Sequence, residues 1–403
     1  MKENQMDFKF TDEQLALKKA YQDFFREEMA KAPPAIAQGG DSIYDSDEAW
    51  EFNRYMSKRL VEKGWLTMAW PKEYGGLDAS IMDQMIFSEV QASFGAPGVD
   101  VFGVKMFAPT LMLFASDEQK ARLLPPISSA EVVYCQGWSE PDAGSDLATV
   151  QTLAVKDGDF YVINGQKLWT TGGHRADHMF ALVRTDPNEK RSRGLSVFNI
   201  DMSIPGVEVR PIKFLNGAHI YNEVFLTDVR VHESELIGPE GEGWQLTRAT
   251  MNFERSGIGG FVSAVKTIEA LVSYMKTTKR GGKYLYEDSE LRRRVAKLYA
   301  EAQAGLALCY RIGWNQETGG LAIAPHAASE SKVYGSEVGQ RLYNLGTEIL
   351  GMLGPLSHSK WAKLNGKMIE GYQSILIATI SAGTSEIQRN IIAWAGAELP
   401  RFK

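Results

Sequence analysis

Tyr134-Cys135-Gln136-Gly137-Trp138-Ser139-Glu140-Pro141-Asp142-Ala143-Gly144-Ser145-Asp146 and, further along, Lys167-Leu168-Trp169-Thr170-Thr171 frame the stretch whose reading decides the fold. Two indoles, several short hydroxyl residues and a glycine turn are set into a region that otherwise reads as β-strands. A flat aromatic ligand takes an indole against its face and small hydroxyls or backbone N–H groups at its heteroatoms. Ser139, Gly144, Ser145, Trp169 and Thr171 supply such groups.

Outward from this stretch, hydrophobic period two holds from about Val132 to Val231. Strands are expected at His178–Arg184, Gly194–Ile200, Val207–Phe214 and Asn222–His232, with turns at Asp157-Gly158-Asp159 and Asp186-Pro187-Asn188. Asn164-Gly165, between Phe160–Ile163 and Gln166–Thr170, predicts a two-residue hairpin turn. Before this region the spacing is helical: a Thr11-Asp12-Glu13 cap signal precedes Leu15, Leu17, Tyr21, Phe24 and Phe25. Further helices are expected over Trp50–Lys63, Ile81–Phe94 and from Glu118. After Gly241-Glu242-Gly243 helical spacing resumes, interrupted at Gly281-Gly282, Gly319-Gly320 and Gly354-Pro355. The fold class expected is α+β: an N-terminal helical domain (1–131), a middle β-barrel-like or sandwich domain (132–243) and a C-terminal four-helix bundle (244–403).

The chain has 403 residues, 44% of them apolar, enough for several cores. Its net charge of −6, with both signs interspersed, leaves no basic stripe for nucleic acid and disfavours anionic membranes. No run approaches eighteen apolar residues and Met1–Asp7 lacks signal-peptide order, so a cytoplasmic location is expected. Cys135 and Cys309 are too few for a disulfide framework or a zinc site and are expected to be buried and reduced. His174 and His178 stand four apart but at a strand start, without the Glu that a helical metal motif carries. Gly238-Pro239-Glu240-Gly241-Glu242-Gly243 carries acids where a phosphate would dock and reads as a loop entering a helix. No Ser-His-Asp or Gly-x-Ser-x-Gly arrangement is present.

The quoted run and the Trp-x-Thr strand after it resemble the acyl-CoA dehydrogenase family, and the resemblance returns at Ala382-Gly383-Thr384-Ser385-Glu386-Ile387-Gln388-Arg389. It implies FAD as cofactor and α,β-desaturation of an acyl-CoA thioester, with a carboxylate removing the α-proton and the β-hydrogen leaving as hydride to flavin. By the same resemblance Trp138 (backbone), Ser139 and Thr171 meet the flavin ring, Trp169 packs on it, and Ser145 lines its junction with the substrate. Thr384 and Glu386 contact the dinucleotide portion. Electron-transfer flavoprotein is the implied acceptor, with an oxygen-reducing oxidase of the same fold, or a non-catalytic partner subunit, as alternatives.

The carboxylate base in many members precedes the C-terminal Gly-Thr, a position held here by Ala382. Read as a helix, Met251-Asn252-Phe253-Glu254-Arg255-Ser256-Gly257-Ile258 places Glu254 on an apolar face with Thr250, Met251, Gly257 and Ile258. The pattern alone fits either a base or an acid paired with Arg255 or another Arg. Isovaleryl-CoA-dehydrogenase-like members have a base on this helix together with Ala before Gly-Thr-Ser-Glu, which implies Glu254 as base. The Ala382 N–H is then implied as a donor to the thioester carbonyl.

Thr278 and Glu348 depart from the family pattern, which has Arg and Gln where a neighbouring subunit's FAD diphosphate is met. Either Lys279 or Arg280 compensates, or a different subunit supplies the donors; a homotetramer is expected, a heterotetramer the alternative. Gly257, Gly259 and Gly260 remove bulk near Glu254 and suggest a branched or ring-bearing acyl group, as does the likeness of the Cys135–Pro141 wording to bacterial members for steroid side chains or benzylsuccinyl-CoA. Arg255 and Lys105 join Ser145 as substrate-binding candidates, Lys105 either receiving a second carboxylate of the substrate or remaining solvated or paired.

Overall fold

The computed structural model describes residues 9–38, 43–251, 257–319 and 326–401. Its helices are α1 (Asp12–Met29), α2 (Asp47–Glu62), α3 (Ile81–Phe94), α4 (Ala108–Phe114), α5 (Asp117–Ser128), α6 (Gly243–Thr250), α7 (Ile258–Thr277), α8 (Ser289–Gly319), α9 (Ala327–Leu350), α10 (Lys367–Ser374) and α11 (Ser385–Ile391). The early ones start where the sequence encodes a cap: Thr11 and Gln14 form a capping box on α1, Ser116 and Gln119 another on α5, and Ser46 and Ser80 cap α2 and α3. Each such cap contributes about 1 kcal/mol. Tyr21, Phe24 and Phe25 of α1 are buried as expected, whereas Leu15 faces outward at 50% exposure.

Contacts gather the chain into two compact units, Met1–Gly39 with Ser80–Ala96 and Ser256–Lys403, and Gly40–Ala79 with Pro97–Arg255. The N-terminal helices therefore divide, α1 and α3 belonging to the first unit and α2, α4 and α5 to the second. In the first unit α7, α8 and α9 pack on one another, α3 packs on α7 and α8, and α10 and α11 pack on α9. Its core holds Met85, Ile258, Phe261 and Cys309 at one part and Ile268, Leu271, Leu342 and Ile349 at another. Helix α7 is long and apolar enough by composition to cross a membrane, and it packs against α3, α8 and α9.

The second unit is built on a mixed sheet of β1 (Tyr134–Gly137), β2 (Leu153–Asp157), β3 (Phe160–Lys167), β4 (His178–Arg184), β5 (Leu195–Asp201), β6 (Val207–Lys213), β7 (His219–His232) and β8 (Leu236–Ile237). The order is β6-β7-β3-β2-β4-β5-β8, with β1 parallel to β4. Strands β4 and β5 are buried on both faces and read as near-continuous apolar runs, while the edge strand β6 alternates and carries Pro211.

The expected turn at Asn164-Gly165 is not one: β3 runs straight through it, and the hairpin closes at Gly158-Asp159, where Asp157 pairs with Phe160. Asn164-Gly165 instead faces a bulge in β7, whose buried set shifts from Val224 and Leu226 to Val229 and Val231. Asp228 takes φ +50° there, and the Asn164 amide closes the bulge, its Oδ1 accepting from Asp228 N–H (2.9 Å) and its Nδ2 donating to Asp228 Oδ1 (3.1 Å). A Cβ on Gly165 would lie 2.7 Å from Thr152 Cα, so the glycine serves close strand packing.

The Gly238–Gly243 loop does lead into a helix, as expected, but α6 stops at Thr250 and α7 begins only at Ile258, after Gly257 at φ +55°. Gly257 therefore does not continue the helical face expected from Thr250 to Ile258, and residues 252–256, Glu254 and Arg255 among them, lie outside the described residues.

Candidate active site

In the sheet unit, β1 delivers Trp138 and Ser139, and β3 delivers Leu168 to Thr171. Leu168 N–H donates to Ser139 C=O (2.8 Å), joining the two halves of the motif, and Thr170 N–H donates to Asn222 C=O (3.0 Å) on the other side. Trp169, between these clamps, is held at φ +62°, a conformation that costs a non-glycine residue roughly 1–2 kcal/mol. Its indole is 48% exposed, edge-on to Tyr221 at 6.1 Å. A large aromatic ring kept in a strained backbone and left half uncovered is an arrangement suited to a flat ligand.

Trp138 lies the other way, buried and edge-on to Phe180 (5.8 Å), which stacks on Phe107 (5.2 Å). Its Nε1 is buried without a partner among the described residues. Ser139 and Thr171 are half-buried, and Gly144 and Ser145 are exposed. The Thr170 hydroxyl, buried, has no hydrogen-bond partner among the described residues. The Gly144 position is open, with no atom within 4 Å of where a Cβ would stand.

A pair that sequence reading passed over fixes this frame. Lys167, fully buried, reaches Glu140 Oε1 (2.7 Å) and donates also to Leu182 C=O (2.5 Å). Glu140 further accepts Gln151 N–H (2.6 Å) and Thr152 N–H (3.0 Å). Burial drags the Lys167 ammonium down to about 8, with Glu140 opposing. Burial would raise the Glu140 carboxyl, but Lys167 and the Gln151 N–H more than offset it and hold it below the ordinary carboxylate range. Both groups are charged at neutral pH. The Glu-Pro of one motif half is therefore a ligand for the lysine of the other, and the signal for it was a lone Lys at a buried strand position.

Lys105 lies in a π-helical turn, Val101–Phe107, on its exposed side, while Gly103, Val104, Met106 and Phe107 are buried. Pro109 lacks the N–H that an α-turn would give to the Lys105 carbonyl, and the chain widens there. Asp100 caps the turn, accepting from Phe102 N–H (3.1 Å) and, across to β1, from Tyr134 N–H (3.0 Å). Burial pushes its carboxyl up to about 6.

In the helical unit, Ala382 and Gly383 form a left-handed turn at φ +51° and +80° ahead of α11. Gln388 Nε2 donates to Ala382 C=O (2.9 Å) and Lys332 Nζ to Gly383 C=O (2.6 Å). With both carbonyls tied, no acceptor among the described residues takes the Ala382 N–H. Thr384 caps α11 by accepting Ile387 N–H (3.2 Å). Glu386 is exposed in the first turn of α11, its carboxyl lowered by its own N–H and the Thr384 hydroxyl.

Arg280, in the short strand Lys279–Arg280, donates to Ile349 C=O (2.6 Å) at the end of α9, and Lys279 stands over the Tyr284 ring. Glu348 is neutralised by Arg294 (2.7 Å) and accepts from Asn344 (2.8 Å). Both cysteines are free and buried, their thiols raised by burial.

Models of the acyl-CoA dehydrogenase N-terminal, middle and C-terminal domains match residues 11–131, 135–229 and 241–396. The chain is 32% identical to the acyl-CoA dehydrogenase FadE26 of Mycobacterium tuberculosis over 402 residues, covering 98% of this chain and 99% of that one. It is 34% identical to the acyl-CoA dehydrogenase IpdE1 of the same organism, covering 88% and 90%. Among solved structures, the ChsE4-ChsE5 complex from Mycobacterium tuberculosis superposes with a TM-score of 0.86 at 32% identity, covering 98% of this chain and 100% of that one. The Tcur3481-Tcur3483 steroid ACAD gives a TM-score of 0.88 at 29% identity with the same coverage. The chain, with its helical N-terminal region, sheet middle domain and helical C-terminal region, belongs to the acyl-CoA dehydrogenase family and is a flavoprotein-type oxidoreductase.

Proposed function

We propose that this chain binds FAD and desaturates the α,β-bond of a bulky, ring-bearing acyl-CoA. The observation that carries the cofactor reading is Trp169, half uncovered at positive φ between two backbone clamps, in the same motif as the accessible Ser139, Ser145 and Thr171. These residues, with the Trp138 backbone and Gly144, would hold the flavin, and Thr384 and Glu386 its dinucleotide portion. FAD, when bound, supplies the hydride acceptor for the β-carbon.

Glu254 takes the α-proton, since Ala382 cannot. The Ala382 N–H donates to the thioester carbonyl as negative charge grows on it, a role its untaken N–H supports. Ser145, Arg255 and Lys105 contact the substrate. The 29% likeness to a steroid ACAD supports a ring-bearing group over a short linear one.

A two-component assembly is the second reading beside a homotetramer. It is favoured by Thr278 and Glu348, neither of which is a cation, and by Arg294 being engaged with Glu348. One matched structure is the ChsE4-ChsE5 complex, and another carries the two names Tcur3481 and Tcur3483. A second chain in the native purified protein supports it; a single chain with full FAD occupancy overturns it. Electron-transfer flavoprotein is the proposed acceptor and the cytoplasm the proposed location.

The test is anaerobic titration of the purified protein with a panel of linear, branched and steroid-type CoA esters. Loss of visible flavin absorbance with the ring-bearing esters is expected; colourless protein, or bleaching by short linear esters alone, contradicts the reading.

A further inference from the structure

Behind the Trp169–Thr171 segment lies a polar cluster that the reaction does not use. Asn222 of β7 is fully buried, and its backbone C=O accepts Thr170 N–H (3.0 Å) while its side-chain Nδ2 donates back to Thr170 C=O (3.0 Å). Nδ2 also lies 3.2 Å from His174 Nδ1, and Oδ1 lies 2.7 Å from His219 Nε2. The two imidazoles stack, centroids 3.8 Å apart and 18° from parallel.

The proton positions follow from donors and acceptors. A carbonyl only accepts, so the amide nitrogen faces Thr170 C=O, and His174 Nδ1, on the same nitrogen, must accept as well. His174 is therefore neutral with its proton on Nε2, which donates to Tyr44 C=O (2.9 Å). His219 Nε2–H donates to Asn222 Oδ1. A proton added to His174 Nδ1 would face the amide N–H₂ and place a cation against the second ring.

The charged groups around the pair oppose one another. On the α2 side, Asp45 accepts His219 N–H (2.8 Å) and Asp47 pairs with Arg175 (2.7 Å). Arg175 stands beside His174, and Lys213 lies opposite His219 in the β6–β7 ladder. Desolvation, then His219 and Arg175, press the His174 pKa below its ordinary value.

We propose that Asn222 is a positioning residue for the cofactor-facing segment, and that the stacked His174–His219 pair makes its grip pH-sensitive, firm while His174 is neutral and released when it is protonated. This rests on the flavin reading of Trp169 and Thr171. The sign is fixed: the folded chain binds fewer protons than the unfolded one below the ordinary histidine value, so the grip is complete above pH 6.5 and weakens as pH falls.

FAD dissociation from the full-length holoprotein, followed at pH 7.5 and 5.5, tests it in wild type, H174Q, H219Q and N222A. Wild type should bind FAD about tenfold more weakly at pH 5.5, H174Q should change less than about twofold, H219Q should fall between them, and N222A should bind weakly at both. Hydrogen exchange of the peptide spanning 166–173, corrected for the intrinsic rate, should accelerate at pH 5.5 in wild type and not in H174Q. Parallel pH dependence in wild type and H174Q overturns the proposal. Absence of FAD from wild type at every pH would sink the flavin reading instead, and the exchange comparison then decides the proposal alone.

Discussion

The two backbone turns assigned to the reaction, Trp138–Ser139 with Trp169–Thr171 and Ala382–Gly383, are both held in left-handed geometry but by different means. The first is anchored by the fully buried Lys167 on Glu140, with four further hydrogen bonds to that pair. The second is held by Lys332 and Gln388, which approach from more open positions. A cofactor that stays through many turnovers suits a frame that cannot relax. A donor to a substrate that enters and leaves suits one that can.

Breaking the buried anchor gives the largest effect. Lys167→Met leaves Glu140 buried and unpaired and should cost about 3–5 kcal/mol by denaturant unfolding. Lys167→Met with Glu140→Leu should recover most of it, because no charge is then stranded. Gly165→Ala, which forces a Cβ onto Thr152 behind the same frame, should cost about 1–3 kcal/mol. Lys332→Met should cost only about 1 kcal/mol, yet lower kcat severalfold with FAD content unchanged, since it frees the Gly383 carbonyl and not the flavin frame.

Acid sharpens the contrast with the smallest effect. The Glu140 carboxyl is lowered on folding, so its contribution is complete above its ordinary value of 4.5 and is lost as pH falls through the folded value. Glu140→Gln should remove that part of the acid slope, while Lys332→Met should leave it.

The start of α1 was legible because Thr11 is a local signal, read within one turn; Ser80 and Ser116 cap α3 and α5 in the same local way. Strands β4 and β6 were legible from period and composition. Asn164-Gly165 misled because its turn chemistry is local while its real partner, the Asp228 bulge, is 64 residues away. The residues assigned to the cofactor were named through family likeness, and what orders their segment was not: Glu140–Lys167 and Asn222–His174 join residues 27 and 48 apart, visible only once the chain is folded. The helical face drawn through Glu254 does not extend to Gly257, which takes φ +55°, and residues 252–256 lie outside the described residues.

The most direct measurement is the rate of anaerobic flavin bleaching by a competent ring-bearing CoA ester in wild type and Glu254→Gln. The variant should retain FAD and bind the ester but bleach at least about a hundredfold more slowly. Bleaching at the wild-type rate would contradict the assignment of Glu254 as the base.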